Sequence, residues 1–136
     1  MSPAAGWAIT RPPWEFPWQF GLIGLLFAAA LYVPTTVTDL AADTGAGDTT
    51  FAVRFGPRSA HRLGIVLWGS ALAISVVCAW FDVLVPRSTL VPQLLMTPVL
   101  LAAYAVLTRR PTITRMAVLS VVFGIPTIGF ALAYIG

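Results

Sequence analysis

Long apolar runs separated by short polar breaks set the pattern of this chain. The first run, about 18–38, reads WQFGLIGLLFAAALYVPTTVT and carries no charge. At about 1.5 Å per residue a helix of that length crosses a hydrocarbon core of about 30 Å. Pro34, near its end, predicts a kink. A second run covers 63–84, with Asp82 at its far end. The third covers 90–108, with Pro92 near its start and Pro98 inside, and the fourth covers 116–135, with Gly124, Pro126 and Gly129. Between them lie a polar segment at 39–62, a tight turn at 85–89 and a basic loop at 109–115. Ahead of the first run, Pro3, Pro12, Pro13 and Pro17 among Trp7, Trp14 and Glu15 predict a loop or a broken helix end. Its tryptophans, with Trp18, suit a membrane interface. The pattern predicts an all-α fold, a polytopic membrane bundle of four transmembrane helices in one domain over 1–136.

Composition sharpens this picture. The 136 residues are 58% hydrophobic and 10% charged, with mean hydropathy +0.87. A soluble domain carries roughly a quarter charged residues, so that class is excluded. No lysine occurs, and the eight basic residues are all arginine, set against five acids. They form no run, which argues against a nucleic-acid partner. Cys78, the single cysteine, lies in an apolar run and reads as a structural thiol. The N-terminus lacks the basic-then-apolar order of a cleaved signal peptide. Six arginines fall in the segments 39–62 and 109–115, whereas the opposite ends hold only Arg11 and Arg87. The bias of basic residues toward the cytoplasm then places the 39–62 segment inside the cell. Both chain ends are expected outside, a first hint of further spans upstream.

Polar chemistry concentrates at 38–62, TDLAADTGAGDTTFAVRFGPRSAHR. Three of the five acids, Asp39, Asp43 and Asp48, stand here with Arg54, Arg58 and Arg62. If the first helix continues through Asp39 and Asp43, both carboxylates project from one face, a turn apart. Such like charges repel unless a cation sits between them, and oxygen ligands favour a hard divalent metal. Gly45 and Gly47 break the helix and let the chain turn before Asp48. Ionisable residues at a membrane boundary mark a site unless they are only a solvated loop, and both readings stand on spacing alone.

The string from Asp39 to Gly56 resembles the second aspartate-rich signature of the UbiA superfamily of intramembrane prenyltransferases. That signature reads approximately D-x-x-x-D-x-x-x-G-x-x-T-x-A-V-R-x-G, and Asp39, Asp43, Gly47, Thr50, Ala52, Val53, Arg54 and Gly56 match each specified position. An AGW string and a span before the signature, and three spans after it, agree. The resemblance implies half of an all-helical prenyltransferase bundle, in which two aspartate-rich segments hold Mg²⁺ on an isoprenyl diphosphate. It implies Asp39 and Asp43 as metal ligands and Arg54 as the bidentate contact to the diphosphate. Asp48, at a variable position, and Arg58 are further diphosphate candidates. Arg58 and Arg62 serve equally well as orientation charges, Thr50 as a cap or turn residue, and His61 as a solvated loop residue without a role. Implied partners are the isoprenyl diphosphate, a hydrophobic aromatic or lipid acceptor, and the bilayer of the cell membrane.

Departures from the family pattern are specific. Thr38 and Thr44 stand where members often carry Asn and Arg, which leaves the acceptor class open. Glu15 and Asp82 stand alone, so no first aspartate-rich segment is present. The resemblance therefore implies the C-terminal half, a fragment or truncated frame, with an N-terminal half as its missing partner. Trp68, Trp80, Tyr104 and Phe123 read as packing or lipid-facing residues, and Gly64, Gly69, Gly124 and Gly129 as points of close helix approach. A CDP-alcohol phosphotransferase needs an upstream DG-x-x-AR and a glycine where Thr35 stands. A non-enzymatic membrane protein, with arginines that only set topology, is the remaining alternative.

Overall fold

The computed structural model describes residues 12–135, the side chains of Pro13 and 125–135 excepted. Trp7, Arg11 and the AGW string lie outside the described residues. The described chain is helical. A 3₁₀ turn at Pro13–Glu15 leads into α1 (Trp18–Thr38), followed by two short helices, α2 (Leu40–Ala46) and α3 (Phe51–Phe55). Then come α4 (Pro57–Trp80), a 3₁₀ turn at Arg87–Thr89, α5 (Leu90–Leu107) and α6 (Ile113–Ile135). Three of these are long and apolar enough to cross a membrane: α1, α4, and α5 with the 3₁₀ turn before it. The fourth expected span corresponds to the 23-residue α6, which is apolar over its described part, Ile113–Gly124.

The long helices pack in chain order, α1 on α4, α4 on α5 and α5 on α6. Phe27 of α1 meets Phe123 of α6 with ring centroids 4.6 Å apart, which closes the ring. At its centre Trp68 is fully buried, stacked on Tyr104 at 4.9 Å with an interplanar angle of 24°. The Trp68 ring meets Phe27 edge-on at 4.9 Å and Phe123 at 5.1 Å. Ala30, Leu72, Leu100 and Leu119 complete this core. The outer faces are apolar as well: Leu25 is 66% exposed, Leu95 66% and Val106 68%. Contiguous apolar surface of that kind suits lipid.

Between apolar helices in lipid, packing and buried hydrogen bonds replace the hydrophobic drive. Pro34 lies inside α1 and has no amide hydrogen for the carbonyl of Ala30, four residues back. The Tyr104 hydroxyl donates to that carbonyl at 2.6 Å, across from α5. Gly64 of α4 makes room for it, since a Cβ there would overlap the Tyr104 hydroxyl. A second polar seam joins α4 to α5 near the other end. Ser75 donates to Gln93 Oε1 at 3.0 Å, Gln93 Nε2 to Thr89 Oγ1 at 3.1 Å, and Thr89 to the Pro86 carbonyl at 2.7 Å.

Several expected boundaries are corrected. The second long helix runs Pro57–Trp80 rather than 63–84. Proline is well placed in a first helical turn, so the helix starts before its apolar run and carries Arg58 and Arg62. It stops at Trp80, and Asp82 and Leu84 take positive φ, 56° and 70°. Asp82 thus belongs to a turn, where Oδ1 accepts the Arg87 amide at 2.8 Å. The 39–62 segment is not a loop: it forms α2, α3 and the first turns of α4. Helix α6 begins at Ile113 inside the expected 109–115 loop, because Thr112 Oγ1 accepts the Arg115 amide at 3.3 Å in the manner of an N-cap.

Candidate functional site

Asp39 interrupts the helix only lightly. Its φ and ψ are −95° and 2°, yet its amide donates to the Thr35 carbonyl at 3.2 Å and its own carbonyl accepts the Asp43 amide at 2.9 Å. The backbone ladder therefore runs through the break, with Asp39 and Asp43 one helical turn apart. Asp39 is exposed and accepts only a long 3.3 Å contact from Thr38 Oγ1, and Asp43 is partly buried.

Helix α2 ends in a Schellman motif. Gly47 sits at φ 78°, its amide donates to the Thr44 carbonyl at 3.3 Å, and the Asp48 amide donates to the Asp43 carbonyl at 2.9 Å. The second break, between α3 and α4, has Gly56 at φ 82°. These are the only positive-φ glycines among the described residues, and both are fixed positions of the string. Ala52 is buried against Val33 of α1 and Ala60 of α4, where a larger side chain would part the helices. Thr50 precedes α3 in extended geometry, with a buried Oγ1 that has no hydrogen-bond partner. The string's small and turn-forming residues thus have work in the fold. Its two aspartates and Arg54 make no ion pair: Arg54 is exposed, its guanidinium 5.3 Å from the Phe55 ring centroid.

Among the described residues no arginine pairs with a carboxylate. The basic side chains gather elsewhere. An open cleft of about 420 Å³ is lined by Val37 at the end of α1, Arg58, His61 and Arg62 on α4, and Thr108, Arg109 and Arg110 after α5. A shallower hollow of about 540 Å³ lies beyond Arg58 and Arg62, against Phe55 and Gly56. Arg58 lines both, whereas Asp39, Asp43, Asp48 and Arg54 line neither. Asp39 adjoins the first cleft only through Val37, two residues before it.

His61 is not the solvated loop residue expected from the sequence. It lies on α4, partly buried, with Nδ1 3.1 Å from Thr108 Oγ1. The Thr108 hydroxyl has one hydrogen and donates it to the Tyr104 carbonyl at 2.7 Å. Its oxygen must then accept from His61, which fixes the proton on Nδ1 and leaves Nε2 outside that contact. The cleft floor is therefore tied to Tyr104. That Arg109 and Arg110 meet His61 was not legible, because the sequence puts nearly fifty residues between the two walls.

No three His, Cys, Asp or Glu side chains converge among the described residues. Two carboxylates on one turn remain a fitting donor set for Mg²⁺, which keeps several waters and takes one or two carboxylates alongside phosphate oxygens. Comparison of the chain with protein-family models, curated proteins and solved structures gives no match.

Proposed function

We propose that this chain is the C-terminal part of an intramembrane prenyltransferase of UbiA type, with four spans. It would transfer a polyprenyl group from an isoprenyl diphosphate to an aromatic or lipid acceptor, with Mg²⁺. The observation that carries the reading is the division of labour within the Asp39–Gly56 string. Gly47, Ala52 and Gly56 answer to backbone and packing, while the side chains of Asp39, Asp43 and Arg54 match the signature equally well and take part in no ion pair. Ionisable side chains without an ion-pair partner at a membrane boundary point to a ligand.

In this reading Asp39 and Asp43 hold the metal, and Arg54 contacts the diphosphate, with Asp48 and Arg58 as further contacts. Mg²⁺, when bound, neutralises charge that builds on the diphosphate as the allylic C–O bond breaks. The carboxylates position that charge at the helix rim, and a guanidinium offers two parallel N–H donors to phosphate oxygens. The apolar helices keep the prenyl chain out of water. The motif side faces the cytoplasm of the cell membrane, and an N-terminal half with its own aspartate pair completes the site.

Mg²⁺-dependent prenyl transfer by the chain joined to such a half tests the proposal. Asp39→Ala and Asp43→Ala are each expected to lower turnover by on the order of 100-fold, the scale of losses around metal sites. Unchanged turnover in both would return the segment to the role of a topology signal.

A further inference from the structure

Neither Asp39 nor Asp43 lines the arginine cleft, and its composition asks for a ligand. Arg58, Arg62, Arg109 and Arg110 line one open volume of about 420 Å³ whose lining holds no carboxylate. None of the four is ion-paired. Guanidiniums crowded on one low-dielectric surface repel one another and raise the local concentration of anions. The floor is ordered: Thr108 is 2% exposed and fixes His61 through Nδ1, and Arg115 Nη1 donates to the Arg110 carbonyl at 3.0 Å. The cleft also lies where α1 and α5 end and α4 begins, at the level of lipid headgroups if these helices cross a bilayer. Basic pockets between helix ends at that depth are suited to phosphorylated headgroups.

We infer that this cleft binds the phosphate group of a membrane amphiphile through Arg58, Arg62, Arg109 and Arg110, without a metal ion. Arginine forks pair with phosphate oxygens bidentately, and two forks from each wall bridge α4 to the α5–α6 connection. The inference goes beyond the proposed transfer reaction, because it requires neither carboxylate nor Mg²⁺. Two sources share this chemistry, an anionic phospholipid and an isoprenyl diphosphate, and they are separable.

The test is native mass spectrometry of the full chain in detergent with EDTA, offered equal phosphatidylglycerol and phosphatidylcholine. Selective retention of phosphatidylglycerol is expected. Arg109→Gln with Arg110→Gln, and separately Arg58→Gln with Arg62→Gln, should each reduce it by on the order of tenfold, with helicity by circular dichroism unchanged. Asp39→Asn with Asp43→Asn should leave it intact, so the outcome does not depend on the prenyl-transfer reading. Farnesyl diphosphate that displaces the lipid in EDTA identifies the substrate diphosphate as the ligand, and failure to displace it identifies the phospholipid. Equal retention of both lipids, or retention unaltered in both arginine pairs, overturns the inference.

Discussion

Pro34 leaves the Ala30 carbonyl without its helical donor, and Tyr104 supplies one from another helix at 2.6 Å. Tyr104→Phe removes that donor without changing the ring stack on Trp68. Interhelical hydrogen bonds in lipid contribute about 0.6 kcal/mol, and up to about 1.7. The variant is expected to lose stability in that range, measured by unfolding in mixed micelles. Gly64→Ala should cost more, because its Cβ would drive Tyr104 out of both the bond and the stack. Combining the two should cost less than their sum, since the phenylalanine lacks the oxygen that overlaps first. Of these residues the sequence gives only the types. Tyr104 and Gly64 read as packing residues, which they are, but the pairing of a proline's orphan carbonyl with a hydroxyl 74 positions away needs the fold.

The long helices were legible because an uncharged apolar run has few other solutions in a bilayer. Their ends were less so. Helix α4 begins within a charged stretch that hydropathy assigns to a loop, and only Gly56 followed by Pro57 marks the start. Of the two glycines expected to break the helix, Gly47 does so with φ 78°, whereas Gly45 lies inside α2, and the break at Gly56, φ 82°, was not legible. Gly47→Ala places a Cβ in the αL region at about 1–2 kcal/mol, and Gly56→Ala, at φ 82° and ψ 161°, places one where only glycine is at ease, at about 1–3 kcal/mol. Each should lower the thermal midpoint of the purified chain, while Gly47→Asn, which tolerates the conformation, should be milder. A midpoint unaffected by both alanines would mean that the breaks are not needed for folding.

Across the molecule, the ends of α1 and α5 and the start of α4 form one face, whereas the 81–89 turn lies at the opposite end of α4. If the helices cross the membrane as argued, single cysteines separate the two faces. In a Cys78→Ser background, Ser59→Cys and Thr112→Cys should react with an impermeant maleimide from one side, and Ser88→Cys from the other. Reaction of all three from the same side would contradict the crossing of α4 and α5. The aspartate spacing was legible in one dimension: Asp39 and Asp43 fall a helical turn apart, and Gly47 ends the helix after them. The arginine cleft was not, because its walls meet only when α4 and α5 pack.

The central claim is that Asp39 and Asp43 hold a divalent ion against a diphosphate, and Mn²⁺ in place of Mg²⁺ makes that binding visible. Electron paramagnetic resonance of Mn²⁺ titrated into the full chain with farnesyl diphosphate reports the bound ion directly. A bound-ion signal is expected that needs the diphosphate, persists in Arg109→Gln with Arg110→Gln, and disappears in Asp39→Asn with Asp43→Asn. A signal of equal strength in the aspartate variant would contradict the account.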